Sequence, residues 1–482
     1  MLIKNIYVYD DKGLKQLKHV QLTKTGSRII HNLDDDLSAL EQHEENIIDS
    51  KDTYFLMPGM MDSHIHGQGG FDFASLSVED GEKELEVIVK QLGKTGLSYA
   101  VPTLVSMPVE LLKQSLMIIN KFIKNQKINP TPGFTTLVGV HLEGPFISKS
   151  CKGAHSEEAL QQEISMEKFR EIINAAPDIK QWKITLAPDL VGAEEFIKQT
   201  KALEAEGLSV KVFIGHANPE EKEAIGRAIS AGAAGFTHLG NACQESCSRD
   251  NRTLSSEDAT SNVVKWVLEN PDQCPAGVEL ILDGAHLSFS FSTLIHQTIK
   301  NKIMLVTDAL GPTGCKDGLY KLGALDIRKD KNNFYLVDEE GHFKMKMGTL
   351  PSGETGEVRT LAGSASSLAQ CAQNYFDLLH DEPVESRMDF LYAGLISNPR
   401  RASLSDDAIN NLPDDTNFVI FNEKGKLILS ACNSKLTEHQ QILWPIQSLL
   451  GNGLLAPPSV YNPGKDNLEC DATKLMFSIP TI

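Results

Sequence analysis

From the segment FLMPGMMDSHIHG to about residue 310, apolar runs of strand length alternate with stretches of helical periodicity. The runs are LMPGMMDSH, SYAVPTL, TTLVGVHLE, WKITLAPD, VKVFIGH, AAGFTHL, VELILDGAH and IMLVTDA, eight in all. Segments such as VEDGEKELEVIVKQLGKTG and NPEEKEAIGRAISAGA lie between them. In the second of these, Asn218 is a candidate N-cap with Pro219 at the first helical position, Glu221 completes a capping-box-like spacing, and Gly232 ends the helix. Continuously apolar strands, each followed by a helix, are the pattern of parallel strands covered on both faces. Eight such units predict an α/β fold, a (β/α)₈ barrel, with an open doubly wound sheet as the alternative.

The ends of the chain read differently. Residues 1–57 open with NIYVYDD and KHVQLTKTG, short alternating strands. After about residue 412, NFVIFNEKGKLILSAC predicts a hairpin turning at Glu423–Gly425. A small β-sandwich built from both ends is therefore expected. Residues 1–57 supply its N-terminal part, 58–412 the barrel, and 413–433 its C-terminal part. Residues 434–482 contain PP and NPGKDN with little periodicity and stay unassigned.

Composition narrows the function. With 41% hydrophobic and 23% charged residues, the chain is neither disordered nor fibrous. Its net charge of −18 argues against a general nucleic-acid or anionic-membrane partner, so an anionic substrate would need a local basic pocket. The start, MLIKNIYVYDDKG, has neither a signal-peptide core nor a transit pattern, and no apolar run nears the ~20 residues of a membrane span. A cytoplasmic location is expected. Eight cysteines with one close pair, Cys243 and Cys247, form no disulfide framework and read as reduced thiols.

Chemistry-bearing residues gather at the C-terminal ends of the runs, where barrel enzymes place their active sites. The first ends in Asp62-Ser63-His64-Ile65-His66, the third in His141-Leu142-Glu143, the fifth in His216 and the sixth in His238. The seventh ends in Asp283-Gly284-Ala285-His286 and the eighth in Asp308. A chance H-x-H is expected about 0.4 times in a chain with this many histidines, so that motif alone shows little. The coincidence across strands is what points to a metal site. His141 reads as a hydrogen-bonded structural residue. Imidazole and carboxylate donors suit a divalent metal, Zn²⁺ first, with Fe²⁺ or Mn²⁺ as alternatives. His64 and His66, two apart on an extended segment, project the same way and can chelate one ion. Such a metal is a Lewis acid, and Asp308 beside it would serve as general base and then acid. Metal-assisted hydrolysis is the leading reaction class.

The motifs PGMMDSHIHGQGGFDF, VPTL, HLEGPFIS with KGAH, LAPD, GHANPEE, THLGNA, DGAH, VTDA and LAGSASS occur in that order over residues 50–412. Together they resemble the N-acetylglucosamine-6-phosphate deacetylase family of the amidohydrolase superfamily. The resemblance implies a (β/α)₈ barrel with a small β-sandwich, and hydrolysis of N-acetylglucosamine 6-phosphate to glucosamine 6-phosphate and acetate. It implies Glu143, His216 and His238 as principal metal ligands, Asp308 as acid/base, and His64 and His66 as a second metal site, so one or two ions per chain. Ala154 and His155 of KGAH, Asn241 and Ala242 of THLGNA, His286 of DGAH and the turn Leu361-Ala362-Gly363 would contact the phosphorylated N-acetyl amino sugar. Arg249 stands where the family places a phosphate-binding Arg that reaches across a homodimer interface. Arg252 is the nearby alternative, since either guanidinium can grip phosphate through paired hydrogen bonds.

The chain also departs from the family pattern. THLGNAC lacks the bulkier residues usual at its fourth and last positions, so Gly240 and Cys243 are expected to widen the sugar pocket and admit another N-acyl amino sugar. GHANP replaces a GHS-type run, Asp189 of LAPD stands where Glu is common, and residues 311–360 are longer than usual. Cyclic-amide hydrolases, the competing class, need a bridging Lys at the end of the fourth strand. Here Ala187-Pro188-Asp189 ends that strand and Lys183 lies near its start. A metal-free scaffold is the remaining reading, and the intact ligand set argues against it.

Overall fold

The computed structural model describes residues 1–439 apart from 11, 24–25, 45, 324, 332 and 351–353, together with the short strand Leu455–Ala456. Most of the unassigned stretch 434–482 thus lies outside the described residues. All eight predicted strands form: Met61–Ile65, Tyr99–Val105, Val140–Glu143, Gln181–Leu186, Ser209–Ile214, Gly235–Phe236, Val278–Ile281 and Ile303–Val306. They pair in parallel from the first to the eighth in chain order. Eighth and first strands meet at their C-terminal ends, where Asp308 N–H donates to His64 O at 2.9 Å and His66 N–H to Ala309 O at 2.9 Å. The fold is the barrel and not the open sheet.

Apolar stripes seal it. Helix Gly81–Lys94 buries Leu85, Ile88, Val89 and Leu92, a spacing of three, four and seven that faces one side. The short helix Asn398–Ser403 closes the N-terminal end of the barrel. Its Ala402 joins Phe213, Ile281, Met304 and Val306 in one core, and Arg400 Nη2 donates to Gly59 O at 2.9 Å. With that end filled, the opposite mouth is the open one.

Both chain ends share one sheet. Strand Phe418–Asn422 pairs antiparallel with Tyr54–Pro58, which pairs in parallel with Leu2–Tyr9. The predicted hairpin is present, with Asn422 N–H bonded to Lys426 O across a turn that Gly425 enters at φ 72°. The sheet runs on past residue 433, because Lys435–Glu438 pairs with Leu427–Cys432.

One cap differs from its sequence reading. The helix predicted to start at Pro219 begins at Glu223, and it does end at Gly232, in positive φ. Asn218 caps another element: its Oδ1 accepts Asn262 N–H at 2.9 Å and lies 3.4 Å from Ser261 Oγ. An Asn side chain takes whichever free N–H its loop presents, and here that is the start of helix Asn262–Glu269.

The long segment after the eighth strand is itself folded. Gly318–Leu322, Leu325–Asp330, Asn333–Leu336 and Leu361–Ser364 make a four-stranded antiparallel sheet, and Met345–Thr349 pairs with Thr355–Arg359. Among the described residues no helix is long and apolar enough to cross a membrane. Cys151, Cys243, Cys247, Cys274, Cys371 and Cys432 are free thiols and buried, whereas Cys315 is disulfide-bonded, against the expectation of reduced thiols throughout.

Candidate active site

Seven of the predicted site residues converge at the barrel mouth around Glu143. Its Oε1 lies 3.0 Å from His216 Nε2, 3.1 Å from His238 Nε2 and 3.4 Å from His64 Nε2. Its Oε2 lies 3.4 Å from both His66 Nε2 and His155 Nε2. Asp308 Oδ1 is 3.0 Å from His66 Nε2 and 3.5 Å from His64 Nε2. All seven are buried.

The strand ends carry backbone strain. His216, His238 and Asp308 have φ of 50°, 28° and 51°, a region non-glycine residues enter at a cost of about 1–3 kcal/mol each. Hydrogen bonds fix each strained turn. Asp308 is held from both sides, by its own N–H on His64 O and by Ser364 N–H on its carbonyl at 2.9 Å.

Second partners set the ring orientations. His216 Nδ1 donates to Cys151 O at 2.9 Å and His64 Nδ1 to Glu279 Oε2 at 3.0 Å, so both rings turn Nε2 lone pairs into the cluster. His155 is the opposite tautomer. Its Nδ1 accepts Ser106 N–H at 3.2 Å, which leaves the proton on Nε2, facing the site. A ring protonated there donates and cannot ligate, and its Nε2 faces Glu143 Oε2 at 3.4 Å. His141 bonds Thr103 Oγ1 and Thr185 Oγ1, in keeping with a structural role.

The donor set fits a divalent cation. His216 and His238 aim their Nε2 atoms at one point, 3.1 Å apart, and His64 Nε2 has no hydrogen-bond partner among the described residues. Two groups, His64/His66/Asp308 and His64/Glu143/His238, offer ligand atoms within 4.8 Å of one another, and a third, Glu143/His155/His216, is as close but includes the His155 donor. Charge agrees. Burial lowers the His64 pKa, but Glu143 and Glu279 together carry it up to about 10. Burial raises the Glu143 carboxyl, yet His64, His155 and His216 hold it well below its usual range. Burial likewise raises Asp308, and His66 and His64 bring it below the ordinary value. The pocket holds concentrated negative charge that a cation would neutralise.

The predicted substrate contacts are held by local bonds, and some of them lie against this centre. His286 Nδ1 donates to Asp283 Oδ2 at 2.7 Å, and Asp283 Oδ1 accepts the N–H groups of Ala285 and His286. Asn241 N–H bonds His238 O at 2.9 Å, and Ala242 follows in positive φ at 47°. A Cβ at Gly153, next to Ala154, would lie 3.2 Å from the His216 ring and 3.6 Å from Ala242 Cβ. Leu361-Ala362-Gly363 reaches the same mouth, where a Cβ on Gly363 would lie 3.0 Å from Asp308 O.

Arg249 and Arg252 separate cleanly. Arg252 is exposed and spends its guanidinium on Asp250, with Nη2 2.6 Å from Oδ2. Arg249 is half-buried near Asp283 and Tyr335, and burial lowers its pKa, with those two groups opposing. Gly240 does not widen the pocket, because a Cβ there would strike Phe291 Cε1 at 2.8 Å. Cys243 is buried in the main apolar core. At Gly240 it is Phe291 and Leu287 that occupy the volume a larger residue would fill. Glu279 and Ser106 escaped the sequence reading, and Lys183 was weighed there only as a bridging ligand. Glu279 and Lys183 share one signal, a lone charge inside an apolar strand.

No protein-family model matches the chain. It is 30% identical over 328 residues to the N-acetylglucosamine-6-phosphate deacetylase of Caenorhabditis elegans, covering 66% of this chain and 68% of the relative. To that of Vibrio furnissii it is 29% identical over 319 residues, covering 66% and 67%. The fold superimposes with a TM-score of 0.67 on the Mycobacterium smegmatis N-acetyl-D-glucosamine-6-phosphate deacetylase. That structure is of an Asp-to-Ala mutant in complex with N-acetyl-D-glucosamine-6-phosphate, 20% identical, with 90% of this chain and 98% of the other covered.

Proposed function

The chain belongs to the N-acetylglucosamine-6-phosphate deacetylase family, and from that membership we propose how its barrel mouth works. The reaction is hydrolysis of the acetamide of N-acetylglucosamine 6-phosphate to glucosamine 6-phosphate and acetate, in amino-sugar metabolism. The observation that carries the assignment of roles is the convergence of His64, His216 and His238 Nε2 on Glu143.

Glu143, His216 and His238 would hold the principal divalent ion, with His64 and His66 completing a second position. Zn²⁺ is the ion we assign, on the donor types, with Fe²⁺ or Mn²⁺ also compatible. Bound there, the ion supplies Lewis acidity that polarises a carbonyl and makes water nucleophilic near neutral pH. Asp308 takes the proton from the attacking water and returns it to the leaving amine. His155 presents its Nε2–H to the acetamide oxygen, and His286, braced by Asp283, lies at the substrate end. Ala154, Asn241, Ala242 and Leu361-Ala362-Gly363 frame the sugar. Arg249, whose guanidinium makes no ion pair among the described residues, receives the phosphate.

The cyclic-amide alternative loses its key residue, because Lys183 is mid-strand and engaged by Glu279. A homodimer is the assembly the family resemblance implies. A phosphorylated sugar does not cross a bilayer unaided, which supports a cytoplasmic location.

The test is amine release from N-acetylglucosamine 6-phosphate and from unphosphorylated N-acetylglucosamine, with metal-stripped enzyme and after Zn²⁺ reloading. Zinc-dependent turnover of the phosphorylated sugar alone is expected. Full turnover without metal, or equal turnover of both sugars, would remove the metal role or the phosphate pocket respectively.

A further inference from the structure

Below the ligand cluster lies a second layer of buried charge. Lys183 of the fourth strand and Glu279 of the seventh expose no surface. Glu279 Oε1 pairs with the Lys183 ammonium and lies 3.5 Å from Ser63 Oγ. Lys183 Nζ also donates to Ser63 O at 3.2 Å and rests 4.2 Å from the Phe213 ring centroid. The other oxygen, Oε2, points up. It accepts His64 Nδ1–H at 3.0 Å and the His238 backbone N–H at 3.2 Å.

Neutralising a buried ammonium accounts for Oε1 alone. Oε2 does something else, since it joins residues from the first and sixth strands that both face Glu143. We propose that Glu279, anchored by Lys183, is a positioning residue of the metal centre. It holds His64 as the Nδ1–H tautomer and pins His238 at its strained strand end. The proposal rests on the reading that His64 and His238 face a metal ion.

Each part of the geometry follows from this role. With the proton fixed on Nδ1, the His64 lone pair is on Nε2, the atom 3.4 Å from Glu143 Oε1 and 3.5 Å from Asp308 Oδ1. A second carboxylate holds the His64 backbone, as Asp62 Oδ1 accepts its N–H at 3.1 Å. His238 sits at φ 28°, and its N–H would otherwise lack a partner in a dry interior. Lys183 keeps the Glu279 carboxylate charged despite complete burial, which strengthens both upward bonds.

The experiment measures Zn²⁺ affinity of the full-length protein by chelator competition, for wild type, Glu279→Gln and the double variant Glu279→Gln/Lys183→Met. The double variant removes both charges and so avoids a stranded ammonium if the single one fails to fold. Affinity is expected to fall about 10–100-fold in the variants, the usual cost of losing a partner behind a metal-bound His. Proton and nitrogen-15 spectra of the metal-free protein should show a hydrogen-bonded, slowly exchanging His64 Nδ1–H in wild type and its loss in the variants. KM of the zinc-saturated enzyme should stay within about twofold, since Glu279 is remote from the sugar. Unchanged affinity and an unchanged His64 Nδ1–H signal would overturn the proposal. A wild type that binds no divalent ion would instead overturn the metal reading beneath it.

Discussion

Replacing Asp308 by Asn keeps the side-chain shape and removes its charge and basicity. The residue is 9% exposed and clamped through both its N–H and its carbonyl, so the amide should occupy the carboxylate's place. What changes is the chemistry: the side chain, with Oδ1 3.0 Å from His66 Nε2, can no longer take up a proton. A positioned acid–base group typically contributes about 10²–10⁴-fold to rate. That is about 3–5 kcal/mol of barrier, at roughly 1.4 kcal/mol per factor of ten. The assay is steady-state amine release from N-acetylglucosamine 6-phosphate by zinc-loaded enzyme, with bound zinc measured on the same sample. The expected result is a kcat at least 100-fold lower, a KM within a few-fold of wild type, and zinc retained by Glu143, His216 and His238. A kcat within about tenfold of wild type would refute Asp308 as the proton carrier. So would zinc lost in step with activity, which would make it a ligand instead.

Arg249→Ala should raise KM for the phosphorylated sugar about 10–100-fold, the worth of a charged hydrogen bond, while kcat changes little. Loss of kcat at unchanged KM would contradict the phosphate assignment. Gly240→Ala should destabilise the fold by about 1–3 kcal/mol in urea denaturation, because the residue sits at φ 89° with Phe291 in contact. Its preference among N-acetyl hexosamine phosphates should not move, and a shift would restore Gly240 to the pocket wall. His296 is buried with Nδ1 2.9 Å from Tyr375 Oη, and burial lowers its pKa to about 4. Its folded pKa lies below the unfolded value, so it costs nothing above pH 6.5 and destabilises progressively as pH falls to 4. Across that window wild type should lose up to about 3 kcal/mol more than His296→Phe, and parallel pH–stability curves would refute the shift.

The eight strands and the histidines and carboxylates at their ends were legible because each such residue closes an apolar run, so one pattern locates both the strand and its open end. Even Gly235–Phe236, only two residues of strand, was marked by AAGFTHL. Relations across the barrel were not legible. Lys183 and Glu279 lie 96 positions apart, and only the closed ring brings one carboxylate against both an ammonium and His64. Asn218 was misread because a capping side chain chooses between two nearby helix starts by loop geometry, which spacing does not encode. Gly240 was misread for a related reason: a missing side chain opens space only on the side it faces, and that side is set by the φ of 89°.

The excursion between the eighth strand and helix Leu368–Leu378 returns to where it leaves. Ala309 pairs in parallel with Ser364, Leu310 N–H bonds Ser364 O at 3.1 Å, and Ser364 Oγ bonds Thr307 O at 2.6 Å. These bonds work as a clasp. The barrel senses only the fixed gap between the two ends, and lengthening a loop whose ends are already joined adds little closure entropy. The sheet and hairpin beyond the clasp can therefore be lengthened, trimmed or exchanged while Asp308 keeps its place. Substrate range and hydrolytic chemistry are thus free to evolve at different rates within one mouth.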